Sequence, residues 1–216
     1  TLSLLSLILG FPLPIILALL LNEVSNGHFR KTFQTVSYAP HFISTVVMCG
    51  MLTLFLNPTS GIFNIIITKL GGESVNFLQD PANFKWIYVL SAVWQEMGWG
   101  SIIYFATLSG VDRSLLEAAE IDGANRFQKI WYINVPVLIP TIIILLILQC
   151  GSLLSVGYEK VYLLQNTTNL SGSEVISTYV YKVGLEQADF SFGAAADLFN
   201  SVINSTILIL ANFIAK

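Results

Sequence analysis

Five apolar runs alternate with polar connections along the chain: Leu2–Leu21, Ser37–Leu56, Trp86–Leu108, Val135–Val156 and Ala194–Ile214. Each has the roughly 20 residues that a helix needs to cross a hydrocarbon core. The pattern predicts an all-α membrane protein, a single domain over residues 1–216 built as a bundle of five spans. Gly10, Pro12, Pro14, Pro40, Gly98 and Gly100 interrupt the runs. Membrane helices tolerate such residues, because neighbouring helices re-satisfy freed backbone groups and small residues permit close approach.

The connections differ in character. Asn22–Val36 is short and basic. Two are longer: 57–85 carries the turn signals Asn57-Pro58 and Gly71-Gly72, and 157–193 is polar. Placing the first and third connections and Lys216 on one side gives that side six Lys/Arg against four (Lys69, Lys85, Lys160 and Lys182). The excess puts 109–134 in the cytoplasm and the two long connections outside. Thr1 opens directly into an apolar run with no charged segment before it, unlike a secretory signal. A further span is expected before Thr1.

Composition sharpens the class. The chain is 54% hydrophobic and 11% charged, with mean hydropathy +0.71; soluble domains carry about 25% charged residues. A net charge of −3 without a basic cluster leaves nucleic acid no electrostatic footprint. Cys49 and Cys150 sit in apolar runs and read as packing residues.

Against this background, 109–134 stands out. Asp112, Arg113, Glu117, Glu120, Asp122, Arg126 and Lys129 fall within eighteen residues. Such a segment must protrude into water. Ser114-Leu115-Leu116-Glu117 has capping-box spacing and predicts a helix start near Ser114. Gly123 suits a helix end, and Asn125 begins a second helix that Pro136 limits. Leu115, Leu116, Ala119, Phe127, Ile130 and Trp131 are expected to pack on the spans, with Glu117, Glu120, Asp122 and Arg126 at the tip. Read alone, this could be a solvated connector or a docking surface.

The order Glu117-Ala118-Ala119, three residues, Gly123, nine residues, Ile133-x-x-Pro136 resembles the cytoplasmic EAA loop of permease subunits from bacterial ABC importers. Asp122 and Ala124 fit that pattern, while Val135 replaces the usual Leu. Tyr158–Leu164 resembles the segment after the next span in carbohydrate permeases, and Leu17–Glu23, Val175–Tyr181, Gly184-Leu185 and Asp189–Ala195 are similar to the branch carrying oligosaccharides and polysaccharide fragments. The resemblance covers essentially the whole chain. It implies six spans in all, a bacterial cytoplasmic-membrane location, and a loop that docks on an ATP-hydrolysing subunit. The implied coupling residues are Glu117, Ala118, Ala119, Glu120, Asp122, Gly123, Arg126 and Pro136. The implied partners are an ATPase dimer, a second permease that is a different sister chain, and an external solute-binding protein. ATP and Mg would sit on the ATPase, since this chain has no GxxxxGK[ST] loop.

Polar groups inside spans are candidates for a substrate pathway. Asp197, Asn200 and Asn204 fall on one helical face, and Glu96 lies mid-span beside Trp94 and Gln95. Such groups suit a hydroxyl-rich sugar, or they hydrogen-bond neighbouring helices. Gly157 and Tyr158 join the pathway on the strength of the resemblance. His28 reads as a loop residue, and His41 as an isolated interfacial one. The rival function is a secondary transporter or channel with a solvated loop. A third, an intramembrane enzyme using Glu96 or Asp197, lacks a paired nucleophile or metal set.

Overall fold

A computed structural model describes residues 1–154 and 157–215. Among the described residues every regular element is a helix. In chain order these are α1 (Leu2–Gly10), α2 (Pro12–Asn22), α3 (Gly27–Tyr38), α4 (Thr45–Phe55), α5 (Ile62–Lys69), α6 (Pro81–Ser109), α7 (Arg113–Ile121), α8 (Arg126–Lys129), α9 (Val135–Cys150), α10 (Tyr158–Leu164), α11 (Leu170–Ser173), α12 (Ile176–Tyr181) and α13 (Phe190–Ile214).

Among the described residues three helices are long and apolar enough to cross a membrane: Leu2–Asn22, Arg126–Cys150 and Phe190–Ile214. The pair Gly27–Phe42 and Thr45–Phe55 makes a fourth if counted as one span. The expected run Ser37–Leu56 is therefore not one helix. Pro40 has no amide to donate, a 3₁₀ turn follows over Ala39–Phe42, and Ser44 caps a new helix by accepting the Val47 N–H. The expected span Trp86–Leu108 lies within α6, which is 29 residues long. Its Trp, Tyr, Gln95 and Glu96 residues lower its hydropathy, and it is not among the three. The ends also differ from expectation. The run Val135–Val156 begins as a helix at Arg126 and stops at Cys150; Val156 and Lys216 lie outside the described residues. The last helix starts at Phe190, four residues before Ala194, because Asp189 accepts the Phe192 N–H at 3.0 Å.

The chain forms two compact units. The first comprises Thr1–Leu4, Ile43–Ala92 and Ser152–Ser205. Here α10 packs on α4, and Met48, Cys49, Phe84, Val89, Val161 and Leu164 are buried. The two long connections are built structures: 57–85 contains α5, and 157–193 contains α10, α11 and α12. Asparagines tie them down. Asn64 donates to the carbonyls of Asn57 and Val75 and accepts the Val75 N–H, while Asn166 and Asn169 both donate to Leu78 O. Buried amides with every group paired fix a turn firmly.

The second unit comprises Leu5–Phe42, Val93–Gly151 and Thr206–Lys216. Ala18, Tyr104, Leu108 and Leu138 form its core, with Ile15, Leu19, Phe105, Ile142 and Leu145 packed around them. Close approach depends on glycine. A methyl at Gly98 would collide with the Ser37 carbonyl, and one at Gly100 would press on Pro14. His28 lies in the first turn of α3, not in a loop, because Asn26 Oδ1 accepts the His28 and Phe29 N–H groups.

No residue of α13 is buried. Val202, Ile209 and Phe213 are all more than half exposed. An apolar helix so bare in water would be a strong association liability; in a bilayer it is ordinary.

Candidate coupling elbow and substrate cavity

The charged segment folds as two short helices joined by a tight turn, in the second unit. Its start is set by Asp112, whose Oδ1 accepts the Ser114 N–H at 2.9 Å, so α7 begins at Arg113 and the Ser114 box is not used. Hydrogen bonds from Ser114 hold the Asp112 carboxyl below its usual range. At the other end Gly123 has φ +80°. Its N–H reaches Glu120 O at 3.1 Å, and the Ala124 N–H reaches Ala119 O at 2.9 Å. This pair of bonds is a Schellman motif, which needs a left-handed residue. An added Cβ at Gly123 would meet nothing within 4 Å. The requirement for glycine is therefore backbone conformation, not crowding.

Asn125 and Gln128 then close a full capping box for α8. Lys129 Nζ lies 2.6 Å from Glu120 Oε1 and bridges the two helices. That hydrogen bond, and then the ammonium charge, lower the Glu120 carboxyl from its usual range. Beyond Lys129 the chain makes a π-turn over Ile130–Asn134, where the Val135 N–H bonds Ile130 O. The wide turn lies just before Pro136, which has no amide to continue the regular ladder. The helix then runs on into α9.

Glu117, Ala118, Glu120, Asp122, Gly123, Arg126 and Pro136 are exposed, and Ala119 is half-buried. The Glu117 side chain makes no hydrogen bond or ion pair among the described residues. Not all the apolar residues pack inward as expected: Leu115 is half exposed, Phe127 is 76% exposed and Trp131 is 67% exposed. Ile121 at the tip is 87% exposed. The elbow thus presents an apolar surface framed by charges.

The first unit holds a cavity of about 400 Å³. Tyr158, Tyr181, Ser177, Phe190, Asp197 and Asn200 are among its lining residues. The Tyr158 and Tyr181 rings lie 4.7 Å apart, and both pack on Tyr162. Burial, then the hydrogen bond with Tyr181, push the Tyr158 hydroxyl up to about 12. The bond from the Tyr162 hydroxyl to Glu186 pushes Tyr162 up as well. Both phenols remain protonated donors at neutral pH. One wall depends on Gly184, where an added Cβ would sit 3.2 Å from Gly193 Cα.

Of the pathway residues expected from sequence, Tyr158, Asp197 and Asn200 line this cavity. Asn204 instead has its Oδ1 on the Leu154 N–H at 3.3 Å. Gly157 and Trp94 are not lining residues. Glu96 lies in the second unit, where its Oε2 is 2.9 Å from His41 Nδ1. His41 is not isolated: besides Glu96, it stacks on Trp99 with centroids 4.4 Å apart. Tyr181, Ser177 and Phe190 were missed as site residues, since nothing local in their segments marks them as converging.

Residues 10–216 match the family model described as binding-protein-dependent transport system inner membrane component. The chain is 42% identical to protein LplB of Bacillus subtilis (strain 168) over 212 residues, 98% of this chain and 67% of that protein. It is 43% identical to the polygalacturonan/rhamnogalacturonan transport system permease protein YteP of the same organism, covering 98% of this chain and 66% of YteP. The chain thus spans about two thirds of the length of these relatives. A solved bacterial ABC transporter involved in the import of the acidic polysaccharide alginate contains a chain with TM-score 0.97 and 42% identity, matched over all of this chain and 75% of that one. The same match holds for the alginate transporter in complex with an alginate pentasaccharide-bound periplasmic protein.

Proposed function

The chain belongs to the family of binding-protein-dependent transport system inner membrane components, and we propose that it is the membrane-spanning subunit of an ATP-driven importer that passes a sugar or oligosaccharide into the cytoplasm. The observation that carries this reading is the elbow Arg113–Lys129: rigidly capped at each turn, bridged by Glu120 and Lys129, and apolar on its exposed surface. A solvated connector has no use for exposed Ile121, Phe127 and Trp131. A surface that seats on another protein does.

In this reading the protein is multi-pass in the bacterial cytoplasmic membrane. α6 and the pair Gly27–Phe42 and Thr45–Phe55 also cross it, giving five spans in this chain. Glu117, Ala118, Ala119, Glu120, Asp122, Gly123, Arg126 and Pro136 form the coupling surface. ATP and Mg bind the partner ATPase pair. Closure of that pair on ATP moves the docked elbow as a rigid body, and the spans reorient to switch the access of the pathway. Such coupling requires contacts that differ between the two states. Sugar delivered by an external binding protein, with a sister permease completing the pathway, meets Tyr158, Tyr181, Asp197 and Asn200. Aromatic faces cover the apolar side of a pyranose, while the carboxylate, amide and phenol groups bond its hydroxyls.

Affinity purification from the native membrane tests this. An ATPase chain, a second permease and a solute-binding protein are expected to come with it. Solute movement by the purified chain alone, without nucleotide, would overturn the proposal in favour of a secondary transporter or channel.

A further inference from the structure

Asn134 is fully buried at the end of the wide turn that joins the elbow to α9. Its Nδ2 donates to Glu23 Oε1 at 3.3 Å, across 111 residues of sequence. Glu23 is the C-terminal cap residue of α2, the second part of the first apolar helix Leu2–Asn22. One turn beyond Asn134, Leu138 is also fully buried, against Ala18 of that same helix. Residues four apart share a helical face. The face of the elbow's continuation that carries Asn134 and Leu138 is therefore seated on the first apolar helix by one polar and one apolar contact. Asn134 Oδ1 has no hydrogen-bond partner among the described residues. A fully buried amide oxygen without a donor is disfavoured, so the Nδ2 contact to Glu23 is the hydrogen bond that anchors this side chain.

We infer that the Asn134–Glu23 contact is the joint that transmits movement of the elbow to the first apolar helix, making both positioning residues for coupling; this rests on the importer reading. The wide turn over Ile130–Asn134 is the compliant element between elbow and span. Changing its i→i−5 bond for an i→i−4 bond would rotate the elbow by about 100° about the helix axis with no pull on the spans. Holding Asn134, the last residue of that turn, on Glu23 prevents the movement from being dissipated there. The joint is specific in chemistry: a neutral amide donor facing a carboxylate acceptor.

The test uses the full transporter, with its ATPase, sister permease and binding protein, in proteoliposomes. The quantity read is sugar imported per ATP hydrolysed, normalised to assembled complex. Asn134→Asp faces two carboxylates and is expected to lower that ratio on the order of tenfold, the size expected for losing a hydrogen bond to a charged group. Adding Glu23→Gln to Asn134→Asp restores a donor–acceptor pair with roles exchanged and is expected to recover most of the ratio. Glu23→Ala, which introduces no new charge, is expected to fall between. A purely structural contact would reduce the amount of complex and leave the ratio of surviving complex unchanged. An unchanged ratio in Asn134→Asp and Glu23→Ala, or a loss that Glu23→Gln fails to recover, would overturn the joint while leaving the importer intact. Absence of ATP-dependent uptake by the wild-type complex would overturn the importer reading and the joint with it.

Discussion

The Glu120 carboxylate and the Lys129 ammonium close the elbow on itself, 2.6 Å apart across the turn at Gly123. Lys129 is the more buried partner and Glu120 the more exposed. Glu120 titrates below its ordinary value of 4.5 because of this bond. A carboxyl depressed in the folded state binds its proton less well there than in the unfolded chain, so its contribution is complete above the ordinary value and lost as pH falls through the folded one. Asp112, lowered by Ser114, acts in the same direction at the start of α7. Amide hydrogen exchange over 125–129 is therefore expected to quicken as pH drops below about 4, after correction for intrinsic rates. Lys129→Met should show quicker exchange already at neutral pH and a weaker further response to acid.

Gly123 offers a prediction of a different kind. An added side chain there meets open space, yet φ is +80°. The cost of substitution is thus intrinsic to the backbone, about 1–2 kcal/mol for a residue with a Cβ and less for Asn. Gly123→Asn should retain most of the substrate-stimulated ATPase activity, Gly123→Ala less, and Gly123→Val least. If the bulk of the side chain ruled instead, Asn would fare worse than Ala.

These two cases also mark what was legible in the sequence. Caps, the glycine terminator and the second start at Asn125 are local chemistry, and each could be read within a residue or two. The periodicity of Asp197 and Asn200 was equally local. What could not be read is what crosses the chain: Lys129 on Glu120 over a turn, His41 on Glu96 over 55 residues, Glu23 on Asn134 over 111. Pro40 marked an interruption of its run, but hydropathy, which averages over a window, does not register the cap at Ser44 and so gave no sign that two separate helices meet there. It also assigned Leu115, Phe127 and Trp131 inward, since apolar character alone does not say whether a residue meets its own chain or another.

The cavity joins residues of α10, α12 and its following turn, and α13, and its predictions separate binding from hydrolysis. Tyr181→Ala removes one ring of the Tyr158–Tyr181 pair and is expected to raise the KM for sugar import about tenfold, equivalent to roughly 1.4 kcal/mol, with little change in the nucleotide-dependent steps. Gly193→Val acts on the wall. Gly184 and Gly193 approach so closely that a branched side chain must separate them. Transport should fall further than in Tyr181→Ala, because the cavity changes shape and does not merely lose a contact. Uptake assays over a range of sugar concentrations distinguish a shifted KM from a lost Vmax.

Glu96 and Asp197 are both pathway candidates by sequence, each a carboxylate within an apolar run, and their surroundings set them apart. Glu96 bonds His41, whose ring lies parallel to Trp99, so its acceptor capacity is engaged in holding α6 to the 3₁₀ turn before α4. Asp197 lines a cavity beside Asn200 and the tyrosines. Glu96→Gln keeps an acceptor for the imidazole and should leave the KM for sugar within about twofold of wild type, a change worth roughly 0.4 kcal/mol. Asp197→Ala should raise the KM on the order of tenfold at unchanged thermal stability. His41→Ala loses both the stack and the bond. It is expected to destabilise by roughly 1–2 kcal/mol, lowering the Tm in detergent by a few degrees while leaving the KM alone. A raised KM in Glu96→Gln with none in Asp197→Ala would move the sugar pathway from the tyrosine cavity to the His41–Trp99 stack.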